Sequence, residues 1–122
     1  MENTFKNDEV LALTSGSYLI HDSSVTRFDI QLKDRILNID VYFVSIDRNT
    51  KANVGLKISF VDVSEYSFYW DASRHFYNVE RYKFLKSENG YYISLDPFDE
   101  SQKLSNEDQE IILSKSIEAK FI

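Results

Sequence analysis

Two histidines, His21 and His75, are the whole imidazole supply of this chain, and it contains no cysteine. That excludes thiolate zinc sites, cysteine nucleophiles and disulfide scaffolds together, and leaves too little imidazole for a His-rich metal centre. His21-Asp22 is the pair that histidine–aspartate phosphohydrolases use to hold a divalent metal. That chemistry needs further His and Asp ligands, normally projected from helices. The residues around the pair alternate like a strand, which favours Asp22 in a turn and His21 on a backbone group. Asp71, Ser73 and His75 have the residue types of a catalytic triad. Three groups within five residues of one loop rarely converge on a nucleophile–base–orienter geometry, and no Gly-x-Ser-x-Gly turn accompanies them. A solvated loop is the simpler reading. With glycine only at 16, 55 and 90, no phosphate-cradling loop can form.

The acidic stretch is more informative. Asp96, Asp99, Glu100, Glu107, Asp108 and Glu110 face a single lysine, Lys103, in fifteen residues. The spacing does not fit a calcium loop of the EF-hand type, which also needs a glycine at its sharp turn. A solvated loop, an acidic surface for a basic partner and loose calcium binding remain open on the spacing alone. Beside it, aromatics crowd one third of the chain: Tyr66, Phe68, Tyr69, Trp70, Phe76, Tyr77, Tyr82, Phe84, Tyr91 and Tyr92. Alternation puts about half of them on a sheet face as core. The remainder are exposed or covered by a second element, and exposed Tyr and Trp are favoured interface anchors.

Composition sets the frame. The chain has 122 residues, one domain's worth, with 43% hydrophobic and 28% charged residues, so it is neither disordered nor membrane-spanning in type. Its net charge of −6 is unevenly placed: residues 1–61 carry 7 basic and 8 acidic side chains, residues 62–122 carry 7 and 12. A second half at −5 repels phosphate backbones and attracts basic proteins, so nucleic acid is not an expected partner. The first residues lack the basic and apolar regions of a signal peptide, and no apolar run approaches the length of about 18 that spans a bilayer. A cytoplasmic location is the expectation.

The elements that must position these groups read mostly as strands. Phe28, Ile30 and Leu32 alternate with Arg27, Asp29 and Gln31; after a polar Lys33-Asp34 turn, Leu37, Ile39, Val41 and Phe43 alternate with Asn38, Asp40 and Tyr42. That pattern predicts an antiparallel hairpin. Val54, Leu56, Ile58 and Phe60 form a third strand, Tyr66, Phe68 and Trp70 a fourth, and Tyr82 and Phe84 a fifth. A Glu88-Asn89-Gly90 turn leads to a sixth over 91–95, and a seventh covers 111–122. Asn7 or Asp8 caps a short N-terminal helix closed by Gly16, and Ser105-Asn106-Glu107-Asp108 gives one helical turn at most. The expected fold is mainly β: a single domain over 1–122, an antiparallel curved sheet or sandwich of about seven strands with a short N-terminal helix.

Two stretches carry a resemblance. Ser17-Tyr18-Leu19-Ile20-His21-Asp22-Ser23-Ser24-Val25 resembles the His-Asp-x-x-Val opening of small bacterial β-rich proteins, and Phe60-Val61-Asp62-Val63 is similar to their apolar-x-Asp-Val element. These proteins include immunity proteins of polymorphic-toxin and contact-dependent competition systems. The resemblance covers the first half of the chain. It implies a non-enzymatic cytoplasmic protein, without cofactor or metal, that binds and neutralises a cognate toxin. The partner-facing surface is expected in the second half: Asp96, Asp99, Glu100, Glu107 and Asp108 to steer a basic protein, and Tyr69, Trp70 and Tyr77 to anchor it. The alternative is a β barrel or half-barrel that encloses a small apolar molecule in an aromatic-lined pocket.

Overall fold

Asp34 and Arg35 both adopt left-handed backbone, with φ of 53° and 67°, as a two-residue type I′ turn requires. This turn closes the first hairpin in the computed structural model, which describes residues 4–16, 18, 20–47, 49–73 and 77–122. It pairs Lys33 with Ile36, one residue later than the expected Lys33-Asp34 turn. The hairpin joins β2 (Ser24–Lys33) to β3 (Ile36–Ile46), and β3 runs antiparallel to β4 (Asn53–Ser67). β4 pairs along its length with β7 (Gln109–Phe121). The opposite edge of β7 is shared. Its first half pairs with β6 (Gly90–Asp96), and its last residues pair with the short β1 (Thr4–Lys6). β5 (Lys83–Ser87) pairs with β6 and ends the sheet. The order is β2-β3-β4-β7-β6-β5, one antiparallel sheet that does not close on itself. Among the described residues the sheet is therefore open and not a closed barrel.

Cross-strand rows build the core. Ile39, Phe60 and Ile117 form one row, and Val41, Ile58 and Ala119 the next; all six are at most 1% exposed. Polar partners occupy the other face in the same strands, where Asp29, Asp40, Ser59 and Glu118 line up in register. The inner face is covered by α1 (Asp8–Ser15) through Val10 and Leu13, by Tyr18 and Ile20, and by Val79. Asn7 precedes the helix but does not cap it through its side chain. Its Oδ1 accepts the Ile117 N–H instead (3.1 Å), and its own N–H donates to the Ile117 carbonyl (2.9 Å), which pins the helix start to β7.

Two expectations about strands change. No separate strand exists at Tyr66, Phe68 and Trp70, because β4 continues to Ser67. A bend makes the length possible. Asp62 has a φ of 58°, and the β4–β7 register shifts between Val63 and Glu65. Aspartate tolerates this conformation better than most residues; its N–H donates to Asn38 Oδ1 (2.9 Å) and its carboxylate pairs with Lys115 (3.3 Å). The Asp62-Val63 element is thus the bend of β4. The second change is β1, too short at three residues to show a period.

In the β5–β6 turn, the positive φ of 131° belongs to Gly90, not to Asn89. A Cβ at Gly90 would run into the Ser114 backbone carbonyl oxygen of β7. Gly90→Ala is therefore expected to destabilise the fold by about 1–3 kcal/mol. A lower urea midpoint at unchanged m-value is the readout, and an unaltered midpoint would contradict this account of the turn.

Candidate functional site

Tyr91, Tyr92, Ile93, Ser94 and Leu95 are five consecutive buried residues, so β6 has no water-facing side. Tyr91, Ile93 and Leu95 belong to the core, and the Tyr91 hydroxyl donates to Asp8 Oδ1 on α1 (2.8 Å). Tyr92 and Ser94 point the other way, beneath the segment 97–108 that carries Asp99, Glu100, Glu107 and Asp108. Ser94 Oγ donates to the Gln109 carbonyl (2.6 Å).

What holds that segment down is a buried lysine. Lys83 is 3% exposed; its Nζ donates to both oxygens of Asp108 (3.0 and 3.1 Å) and to the Lys103 carbonyl (2.7 Å), and pairs with Asp99 Oδ1 (2.9 Å). Asp108 also accepts the Tyr92 hydroxyl (2.8 Å) and the backbone N–H groups of Phe98 (2.9 Å) and Ser105 (3.0 Å). Burial alone raises the pKa of a carboxyl such as Asp108, yet these donors outweigh it and hold the group below its usual value. Lys83 obeys the mirror argument. Burial pulls its pKa down, but the two carboxylates win and push it up. The Lys83 hydrogen bond holds Asp99 at about 2, helped by the Ser101 hydroxyl and N–H. The Tyr92 hydroxyl is pushed up by burial and by Asp108.

The steering residues consequently separate. The Asp108 carboxylate has no solvent-facing surface, and its hydrogen bonds organise the segment. Asp99 is half-exposed and shares Lys83, while Asp96 is partly buried. Glu100 and Glu107 are fully on the surface. One lysine between two carboxylates leaves the trio at −1, and the exposed Glu100 and Glu107 add negative charge to a segment that Arg81 also contacts at the Pro97 carbonyl (3.0 Å).

The expected anchors Tyr69 and Trp70 follow the end of β4. Beyond the end of β4 the chain follows the start of β7, where Glu110 has a φ of 54° and is 2% exposed. The Glu110 carboxylate accepts the Tyr69 N–H (2.9 and 3.3 Å), which fixes the backbone just before Trp70. Tyr69 and Trp70 are 58% and 63% exposed, and the Trp70 ring lies 5.8 Å from that of partly buried Tyr77. Sequence reasoning missed Phe98, which is 59% exposed although its backbone is held by Asp108. It also missed Lys83, which lies between Tyr82 and Phe84 of the expected fifth strand. The signal for both was present: one lysine and one tyrosine on facing strands, followed by an acidic segment long enough to cover them.

The remaining chemistry does not converge. His21 Nδ1 lies 3.2 Å from Asp22 Oδ2, both side chains more than half exposed, and Asp22 occupies a turn with φ of 67°. Among the described residues no three His, Asp or Glu side chains are placed to share a metal. Asp71 Oδ1 accepts the Ser73 N–H (2.8 Å) and hydroxyl, a local turn; His75 and Phe76 lie outside the described residues. A cleft of about 600 Å³ passes the His21-Asp22 pair, with Tyr18 and Phe121 as its aromatic walls and Ser45, Asp47 and Asn49 as polar ones. Tyr18 donates its hydroxyl to the Val54 carbonyl (3.1 Å), and burial pushes its pKa up to about 12. No helix among the described residues is long and apolar enough to cross a membrane. Compared with known protein families, with characterised proteins and with solved structures, the chain matches none of them.

Proposed function

We propose that this chain is a non-enzymatic, immunity-like binding protein that neutralises a cognate bacterial toxin domain in the cytoplasm. The observation that supports it is a pre-formed surface at one end of the sheet. There Tyr69 and Phe98 expose their rings while their backbone N–H groups are held by the buried carboxylates of Glu110 and Asp108. The exposed Trp70 follows Tyr69, and Glu100 and Glu107 are exposed acids of the segment that Phe98 begins. Rings on a fixed backbone lose little freedom on binding, and a negative rim raises the encounter rate with a basic partner. The His-Asp-x-x-Val and apolar-x-Asp-Val elements then serve the fold, as a turn and a strand bend, and the partner contacts lie elsewhere.

The experiment is co-expression with the toxin domain encoded beside this chain's gene. Cells survive when the chain is present and die when it carries Trp70→Ala with Phe98→Ala. Absence of any toxin gene in that neighbourhood, or equal protection by the variant, removes the reading. A second reading, a half-barrel that binds a small molecule, is favoured by the cleft walled by Tyr18 and Phe121. Thermal stabilisation by small hydrophobes, lost in Phe121→Ala, would select it.

A further inference from the structure

β2 is an edge strand, and the protection of its edge stops early. The Val25 N–H donates to the Tyr77 carbonyl (2.7 Å), the Val79 N–H donates to the Ser23 carbonyl (2.9 Å), and Ser24 bridges Asn78. From Thr26 on, no described strand pairs with the outer edge of β2. Ile30, Gln31, Leu32 and Lys33 are all exposed; Ile30 at 43% and Leu32 at 70% are so although they share a face with the fully buried Ile39 of β3. Proline and inward-pointing charge, which blunt many such edges, do not occur between Arg27 and Lys33. The bulge of this pair lies before it, between Val25 and Arg27, and the edge carries Arg27, Asp29 and Lys33 on its outer face.

Backbone geometry states which groups are on offer. The residues that flank a two-residue turn exchange both of their hydrogen bonds, so Lys33 points its N–H and C=O at Ile36. Alternation then directs Gln31 and Asp29 toward β3, and leaves the N–H and C=O of Ile30 and Leu32 pointing outward. Charge states what the neighbour must bring. Asp29 stands directly opposite Asp40 on the outer face, with Arg27 3.4 Å from Asp29 as the nearby cation. Like charges directly opposite each other destabilise a strand pair.

We propose that the outer edge of β2 from Asp29 to Lys33 pairs antiparallel with the same stretch of a second copy of this chain, about a two-fold axis at Gln31. In that register Ile30 lies opposite Leu32 of the second copy, and the two residues exchange their outward hydrogen bonds, twice over by symmetry. Asp29 lies opposite Lys33 of the second copy, which brings a cation to the Asp29–Asp40 pair. Arg27 falls opposite Arg35 of the second copy, which lies in the turn beyond the paired strand; an axis at Ile30 instead sets Arg27 against Lys33 within the strands, and an axis at Asp29 sets that residue against itself. The contact is short and smaller than a standard protein interface, so the dimer is weak and concentration-dependent.

Sedimentation velocity across a wide concentration range tests this on the intact chain. The unmodified chain shifts from monomer to dimer as concentration rises. Asp29→Lys sets lysine against lysine and Lys33→Asp sets aspartate against aspartate, so each weakens the dimer by about tenfold or more. The double variant Asp29→Lys/Lys33→Asp restores the opposite-charge pairs and recovers dimerisation. Both positions lie outside the core, and unchanged circular dichroism melting confirms that each variant is folded. A chain monomeric at every concentration overturns the proposal, as does a double variant no better than the single ones. A Lys33→Asp variant that dimerises more tightly than the unmodified chain overturns the register, because it assigns the axis to Ile30.

Discussion

Asp108→Ala is expected to lower the unfolding free energy by about 3–5 kcal/mol, because it leaves the buried Lys83 ammonium short of its principal counter-charge. It also strips the acceptor from the Tyr92 hydroxyl and from the Phe98 and Ser105 N–H groups. Asp99→Ala should cost much less, since Asp99 is half-exposed and Asp108 still holds Lys83. Lys83→Met is the informative companion. It deletes the cation but leaves Asp108 with its Tyr92 and backbone donors, so the loss should fall between the other two. Urea unfolding orders the three variants, and equal losses for Asp99 and Asp108 would contradict the network described here.

The same network fixes the pH dependence. Asp99, at about 2, and Asp108, also lowered, bind protons more weakly folded than unfolded. Their contribution is present above about pH 5 and is lost as pH falls toward about 2. Lys83 is raised, so its contribution is complete below its unfolded value near 10.5 and disappears as pH climbs through the folded one. In Asp108→Ala the acid-side loss should shrink, because one of the lowered carboxyls is gone.

The second large effect is on binding. Trp70→Ala and Phe98→Ala should each speed dissociation of the partner by about thirtyfold, in the range of about 2 kcal/mol expected of an aromatic anchor. Both rings are mostly exposed, so stability should change by no more than about 0.5–1 kcal/mol. Surface plasmon resonance separates the rates. A loss of stability that tracked the loss of binding would make these rings part of the fold.

Much of the fold is legible in the residues. The alternation at Phe28, Ile30 and Leu32, and again at Ile39, Val41 and Phe43, specifies β2, β3 and their shared face, and the seven-strand antiparallel sheet follows from repeats of that pattern. The count of seven hides two compensating differences: β1, and the merging of the expected fourth strand into β4 across the bend at Asp62. Period-two reasoning does not see a bend, because a bulge shifts parity without changing residue types. The site was half visible. Exposed Tyr69 and Trp70 follow from their place beyond the last paired residue of β4. The fate of Asp108 does not follow, because an acidic residue among acids reads as solvated until a lysine from a distant strand is placed beneath it.

Under the proposed function, a basic partner is recruited by charge and held by aromatic burial. Stopped-flow association with the cognate toxin domain, followed from low to high salt, tests that most directly. Association of the unmodified chain is expected to slow by about tenfold between about 50 and 300 mM salt. Glu100→Lys with Glu107→Lys should slow association at low salt and flatten the salt dependence, with little change in dissociation. An on-rate indifferent to both salt and charge reversal would contradict the account.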